Sequence, residues 1–414
     1  MSANTRTRVI SQSKAVYVTP TGWTNDGSNW TIEAAQLKGV DTFSFDIDLA
    51  GSRQDVREFG QLARVGTVRM TEINPTLSFG YYLAEGGNEV KLGFTESATT
   101  GSQCISAFLT EDATKKESNI FVLTAKEGED ANYADDAAYN AATGSHDVIG
   151  FGNAFLSSYS INMSVGEIPR ADIEMQASNV VFYQDAHTGL LSPSLDLEGN
   201  RSEPNAAANI SLPRPQASAD LSSTLKVLKP HDITITFDDN EGVTSSASND
   251  GIGGQSIGTD NGSTIKAVQS CSIDLPLARE VIDAIGSQIA YAKPLQFPID
   301  VTLSLSALVT EFGAGALEKA LTGTAGDRTT TIRVNLKSDT TTEMEFVLVG
   351  AVLDSQSFSQ GLDDNETVEL TFSAQIGGAS TSDQGLFMTN LNTSATRPAQ
   401  ASLNHTDSDG QPNA

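Results

Sequence analysis

Histidine, cysteine and tryptophan are scarce: the 414-residue chain carries four, two and two of them. Cys104 and Cys271 lie far apart without metal-ligand spacing, so neither a disulfide framework nor a zinc site has support, although one long-range disulfide stays open. His146, His187, His231 and His405 are scattered, none with a helical or hairpin partner for metal binding or proton transfer, and each reads as a surface or loop residue. No serine sits in a nucleophile-elbow pattern, and no pair of carboxylates is singled out for acid–base work. The chain is therefore not expected to be an enzyme, and no cofactor or metal is expected.

Positive charge is also short. Lys and Arg number 25 against 52 Asp and Glu, a net charge of −27. That balance serves solubility or salty surroundings on one reading and repulsion of nucleic acid on another; both disfavour tight DNA binding. Long apolar runs are missing: the longest, Phe346 to Leu353, is far below the roughly 20 residues that span a bilayer. Met1 to Val9 is polar with no secretory apolar stretch, so a soluble protein made in the cytoplasm, without membrane binding, is expected.

What the chain does contain is one segment written twice, 226 positions apart, the separation of Gly60 from Gly286. Laying Ser44–Phe79 on Ser270–Leu305 without a gap matches Ile47 with Ile273, Asp48 with Asp274, Arg53 with Arg279, Thr76 with Thr302 and Ser78 with Ser304. The window holds ten identities, where average residue usage gives roughly two. The apolar pattern agrees, with Val56, Phe59 and Ala63 falling on Ile282, Ile285 and Ile289 at the spacing of one helix face. A weaker correspondence sets Ser160, Met163, Ser164 and Gly166 against Ser355, Phe358, Ser359 and Gly361.

Alternation with period two dominates elsewhere. Ile73, Leu77, Phe79 and Tyr81 share one parity; Glu72, Asn74, Thr76 and Ser78 share the other, giving a strand with a dry and a wet face. Ile299, Val301, Leu303 and Leu305 repeat the pattern against Asp300, Thr302 and Ser304, and further strands are predicted at Ser160–Val165, Ala171–Asn179 and Thr367–Ile376. Helices are predicted at Arg53–Phe59 and Arg279–Ile285, each closed by its glycine, and at Glu311–Leu321. The fold class expected is mainly β: two tandem β-sandwich domains, each with one short flanking helix, plus long polar inserts. Their bounds are 1–188 and 227–377, joined by a Pro- and Ser-rich linker at 189–226 with little to bury and followed by a polar tail at 378–414.

The polar inserts at 126–146 and 238–263 carry no recognisable chemistry. Gly251, Gly253, Gly254 and Gly258 open no helix, which excludes a dinucleotide fingerprint. Asp238, Asp239, Asn240 and Glu241 lack the ligand spacing of an EF-hand.

The duplicated segments Ser44–Phe79 and Ser270–Leu305, with the closing hairpins Ser160–Asn179 and Ser355–Ile376, resemble the major tail tube proteins of long-tailed bacteriophages. The resemblance implies a subunit whose inner sheet joins those of its neighbours into a barrel around a channel. It also implies that two fused domains let three chains form a pseudo-hexameric ring, and that rings stack into a tube in the virion tail. Its partners would be further copies of itself, a tape measure protein and other tail proteins, with DNA passing through the lumen unbound. The face bearing Glu72, Asn74, Thr76, Ser78, Asp300, Thr302 and Ser304 would then line the lumen, or else be the outer solvated face. Asn249, Asp250, Gly251, Gly253 and Gly254 would form an inter-ring loop. A tail terminator, distal tail or baseplate hub protein, or a β-rich surface-binding module, fits the same composition.

Overall fold

A computed structural model describes residues 14–20, 31–48, 53–70, 73–97, 101–110, 117–125, 146–184, 186–195, 209–215, 228–230, 233–239, 255–257, 268–287, 289–308, 329–338, 341–359 and 367–391. The first part of the chain forms β1 (Lys14–Pro20), β2 (Thr31–Glu33), β3 (Ala35–Leu37), β4 (Val40–Ile47), β5 (Arg53–Val56), β6 (Gly66–Arg69) and β7 (Pro75–Tyr82). There follow α1 (Gly87–Leu92), α2 (Ser106–Leu109), β8 (Glu117–Ala125), β9 (His146–Ser164), β10 (Arg170–Gln176), β11 (Asn179–Tyr183) and β12 (Asn209–Ser211). The second part gives β13 (Ile233–Asp239), β14 (Gln255–Ile257), β15 (Val268–Pro276), β16 (Asp300–Leu308), β17 (Thr330–Ser338), β18 (Thr341–Ser359), β19 (Thr367–Gln375) and β20 (Gly385–Thr389). The fold is mainly β, as expected.

Each half is built around one 19-residue strand, β9 or β18. The first stretch of β9 pairs with β8 and β11 in an outer sheet; the last stretch pairs with β10 in an inner sheet. β18 does the same with β17, β20 and β19. The strand changes sheets at a bulge, where two residues face one on the neighbour and the added twist redirects the chain. In β9 the bulge lies between the pairs Ile120↔Phe151 and Ser118↔Ala154, and Asn153 takes a φ of 50°. In β18 it lies between Ile332↔Leu348 and Thr330↔Ala351, and Gly350 takes a φ of 72°.

The same correspondence runs through every layer. β1 between β3 and β8 matches β13 between β14 and β17, while the inner order β4–β7–β10–β9 matches β15–β16–β19–β18. The register corrects the sequence reading of the closing hairpin. Ser160 corresponds to Ser357, not Ser355, because Ser160 pairs with Asp172 and Ser357 with Glu369, at equal distances from bulges that sit in the same place. Likewise β4 maps on β15 at a separation of 228, that of Val40 from Val268, because both strands carry a bulge just after those residues. A two-residue slip preserves which face each side chain occupies, so serine-rich wet faces conceal it.

The core lies between inner and outer sheets. Leu77, Phe79, Tyr81, Tyr159, Ile161, Ile173, Ile273, Leu303 and Phe372 come from the inner sheet's dry face, and Val122, Val334 and Phe346 from the outer layer. α1 packs on the dry side, where Glu89 receives hydrogen bonds from Tyr81 and Tyr159.

The helices expected at Arg53–Phe59 and Arg279–Ile285 are not helices. β5 pairs with β6 to make a hairpin arm that turns at Gly60, and Arg279–Leu295 forms a second arm through the bridges Arg279↔Leu295 and Ile282↔Ala292, turning at Gly286. Both glycines have the positive φ expected of them, 101° and 97°, but in a turn and not a helix cap. A seven-residue helix on an exposed surface has no core to hold it, whereas the ladder satisfies the backbone locally. The Glu311–Leu321 helix lies outside the described residues.

Candidate assembly edges and polar face

Eight inner strands form one uninterrupted antiparallel row, β4–β7–β10–β9–β15–β16–β19–β18. At its centre the last inner strand of the first half, β9, pairs with the first of the second half, β15, from Ser164↔Ser270 to Ser158↔Pro276. The halves therefore meet head to tail. The row ends on β4 and on the inner stretch of β18, the counterparts of β15 and β9.

Burial shows the consequence for β4. Phe43, Phe45 and Ile47 occupy the places of Cys271, Ile273 and Leu275. All three β15 residues are buried beneath β9, Ile273 at 1 % exposure; on β4, Phe45 is 39 % exposed and its two neighbours are half-buried. Equivalent side chains thus differ in burial according to whether a strand lies alongside.

The wet face of this row carries Thr76 and Ser78 from β7 and Asp300, Thr302 and Ser304 from β16, all unburied, with Leu77, Leu303 and Leu305 buried on the other side. One ladder runs Asn162–Ser272–Ser304–Thr371–Ser355 across five strands. Acids punctuate it: Asp46, Asp172, Glu174, Asp274 and Glu369. Among the described residues of these strands the one cation on that face is Arg170, which pairs with Asp172 at 2.8 Å and Asp41 at 3.4 Å. The candidates Thr76, Ser78, Asp300, Thr302 and Ser304 are thus brought onto one surface. Asn74 precedes β7, is exposed, and accepts a hydrogen bond from Lys293 at 3.2 Å. Glu72, and the loop candidates Asn249, Asp250, Gly251, Gly253 and Gly254, lie outside the described residues.

The arms project apolar side chains into solvent. Phe59, Leu62 and Ile285 are fully exposed, and Val65, Val68, Met70, Val281 and Tyr291 remain largely so. Sequence reasoning assigned part of this stripe to a helix face; an exposed apolar tip recurs in both copies, Phe59 matching Ile285.

Three other expectations change, the first being the polar tail expected from 378, where β20 pairs with β18 and buries Leu386, Phe387 and Met388. His146 and His187 are buried, with ring centroids 5.6 Å apart, because the chain beyond β11 folds back over β8 and β9. His231 and His405 lie outside the described residues. Within the expected linker, Leu190, Ile210 and Leu212 are buried with Tyr17 and Phe121, and β12 pairs in parallel with β2. Cys104 and Cys271 are free and buried, and burial pushes the Cys271 thiol up to about 12. Among the described residues no group of three metal-ligating side chains occurs, and no helix is long and apolar enough to cross a membrane.

Fold and edges together define a duplicated β-sandwich with an open strand at each end of its inner row. No protein-family model matches the chain, and no curated protein does. Among solved structures it is similar to a chain of the anti-feeding prophage baseplate, at 12 % identity and TM-score 0.26 over 39 % of this chain and 95 % of that one. It is also similar to a chain of the virion of a native gene transfer agent particle, at 11 % identity and TM-score 0.20 over 31 % and 85 %.

Proposed function

We propose that this chain is a structural virion protein, the major tail tube subunit of a long-tailed phage, which assembles with copies of itself into rings and stacks those rings into a DNA-conducting tube. The observation that carries the reading is the internal junction. A chain that already joins β9 to β15 presents, at its two ends, the same two surfaces unjoined. Repeating the junction between chains gives a heterologous, head-to-tail contact, the kind that closes into a ring when the rotation allows. Closure also removes sheet edges that would otherwise template aggregation.

As the family resemblance implies, three chains give six equivalent units. Fusion makes half of the six junctions intramolecular, at high effective concentration. The hydroxyl- and acid-lined wet face then faces the lumen, where it holds no phosphate and releases no counterions, so DNA slides. The apolar arm tips are the contacts to the adjacent ring. The reading assigns no catalysis.

Negative-stain electron microscopy of the purified protein tests it. Rings or filaments of uniform bore are expected; a strictly monomeric protein at high concentration contradicts the proposal, and glycan affinity in that monomer would favour a surface-binding module instead.

A further inference from the structure

From the internal junction we infer the strand register of the junction between two copies, and that Arg53 is its clamp. This rests on the ring reading. Across β15–β9 the pairs include Asp274↔Ser160 and Ile273↔Ile161. Mapping β15 onto β4 and β9 onto β18 by the bulges they share carries these pairs to Asp46↔Ser357 and Phe45↔Phe358 of the next copy. Phe45, half-exposed on a free edge, then gains the cover that Ile273 has.

The clamp follows from the repeated arginine. Arg279, at the root of the second arm, reaches across the internal junction with its Nε, which donates to the carbonyl of Leu156 at 3.0 Å, while its Nη1 donates within the arm to the carbonyl of Lys293 at 2.9 Å. Its guanidinium lies 5.0 Å from the centre of the Phe155 ring. Lys293 adds a second tie, donating to Ser178 at 2.9 Å and Asn74 at 3.2 Å. The first arm has the same arginine, Arg53, at its root, and there it is exposed. The place of Leu156, the residue just before the β9–β10 bulge, is taken in β18 by Leu353, just before the β18–β19 bulge. The place of Phe155 is taken by Val352, an exposed apolar residue. Arg53 of one copy therefore donates to the Leu353 carbonyl of the next and lies over its Val352. The first arm has Thr67 where the second has Lys293, so the contact between copies has one cationic tie where the internal one has two. The intermolecular junction is accordingly the weaker of the two, and ring assembly depends on Arg53.

The test uses the full chain carrying S357C and D46C, with Arg53 intact or replaced. Both native thiols are buried, which leaves the introduced pair as the reactive one. Mild oxidation is expected to link chains through Cys at 357 and 46, whereas pairing Ser357→Cys with Thr42→Cys, four residues out of register, is expected not to. Arg53→Ala is expected to raise the concentration needed for assembly tenfold or more, the usual scale for a charge-assisted hydrogen bond. Arg53→Lys is expected to fail to rescue it, because an ammonium cannot bridge two carbonyls in the guanidinium's fixed fork. Unaltered assembly of Arg53→Ala, or full rescue by lysine, overturns the clamp. Rings in the microscope without the 357–46 link overturn the register alone; neither rings nor link overturns the ring reading as well.

Discussion

Glu89 is a carboxyl group held where water does not reach. The Tyr81 and Tyr159 hydroxyls donate to one of its oxygens at 2.7 and 3.1 Å, and burial pushes its pKa above the ordinary glutamate value even though those bonds pull the other way. The folded state thus holds this proton more tightly than the unfolded chain does. The group's contribution is fully present below the unfolded-state pKa, and stability falls as pH rises through the raised folded value. Thermal unfolding from pH 4 to 8 should show that fall. Glu89→Gln, which keeps an acceptor for both tyrosines and cannot ionise, should flatten it; an unchanged slope would show that Glu89 does not drive the dependence. The second half has Ala307 and Gln356 in the places of Tyr81 and Tyr159, so this arrangement belongs to one half only. Gln356 has its amide oxygen and nitrogen buried without a hydrogen-bond partner among the described residues. It lies on the free β18 edge, where the inferred register sets Ile47 of the next copy opposite it.

At the scale of elements, the unequal fates of equivalent strands give a direct experiment. Ile273 is sealed beneath β9, so Ile273→Ala should cost about 2–5 kcal/mol of monomer stability in a denaturant titration. Phe45→Ala, on the open edge, should cost the monomer far less and instead weaken assembly. Equal destabilisation by both would mean that β4 is not waiting for a neighbour. The axial contact proposed for the arms is tested in the same way. Replacing Phe59, Leu62 and Ile285 with serine should leave the melting temperature nearly unchanged while rings no longer stack, which electron microscopy would show as single rings in place of filaments. Filaments of normal length from that variant would remove the arms from the axial contact.

These elements also mark how much was legible beforehand. The repeat around Gly60 and Gly286 could be read directly, because Arg53, Gly60, Ile73, Thr76, Leu77 and Ser78 recur at one spacing in the arm and the strand after it; the four identities from Ser44 to Leu49 fall in and just after β4, whose true register is two residues away. The dry parity of Leu77, Phe79 and Tyr81 was equally plain, since one face is buried. The arm itself was misread: Val56, Phe59 and Ala63 have helical spacing, but periodicity reports a buried face only where a core exists to select it. The correspondence of β1 with β13 left no trace in residue identity, and that of β8 with β17 left only Ile120 on Ile332 and Val122 on Val334, too little to find by eye. It is carried by pairing order and by bulges, where Asn153 and Gly350 share little except the ability to adopt a left-handed backbone. Of the candidate residues, Thr76, Ser78, Asp300, Thr302 and Ser304 share one wet face, which their parity along the strands already indicates. The free edges could not be found without knowing which strand lay beside which.

For the whole molecule, charge and topology converge. On the proposed tube reading, a net charge of −27 and an acid- and hydroxyl-lined inner row give a wall that repels phosphate, and a head-to-tail row of eight strands gives a unit that can repeat around an axis. On that reading the junction inside the chain is copied between chains. This copying is tested most directly by oxidising the S357C/D46C chain and resolving the products on a non-reducing gel, with S160C/D274C as the internal control. A ladder that stops at three chains is expected. A monomer band alone, under conditions where the internal control links fully, would contradict it.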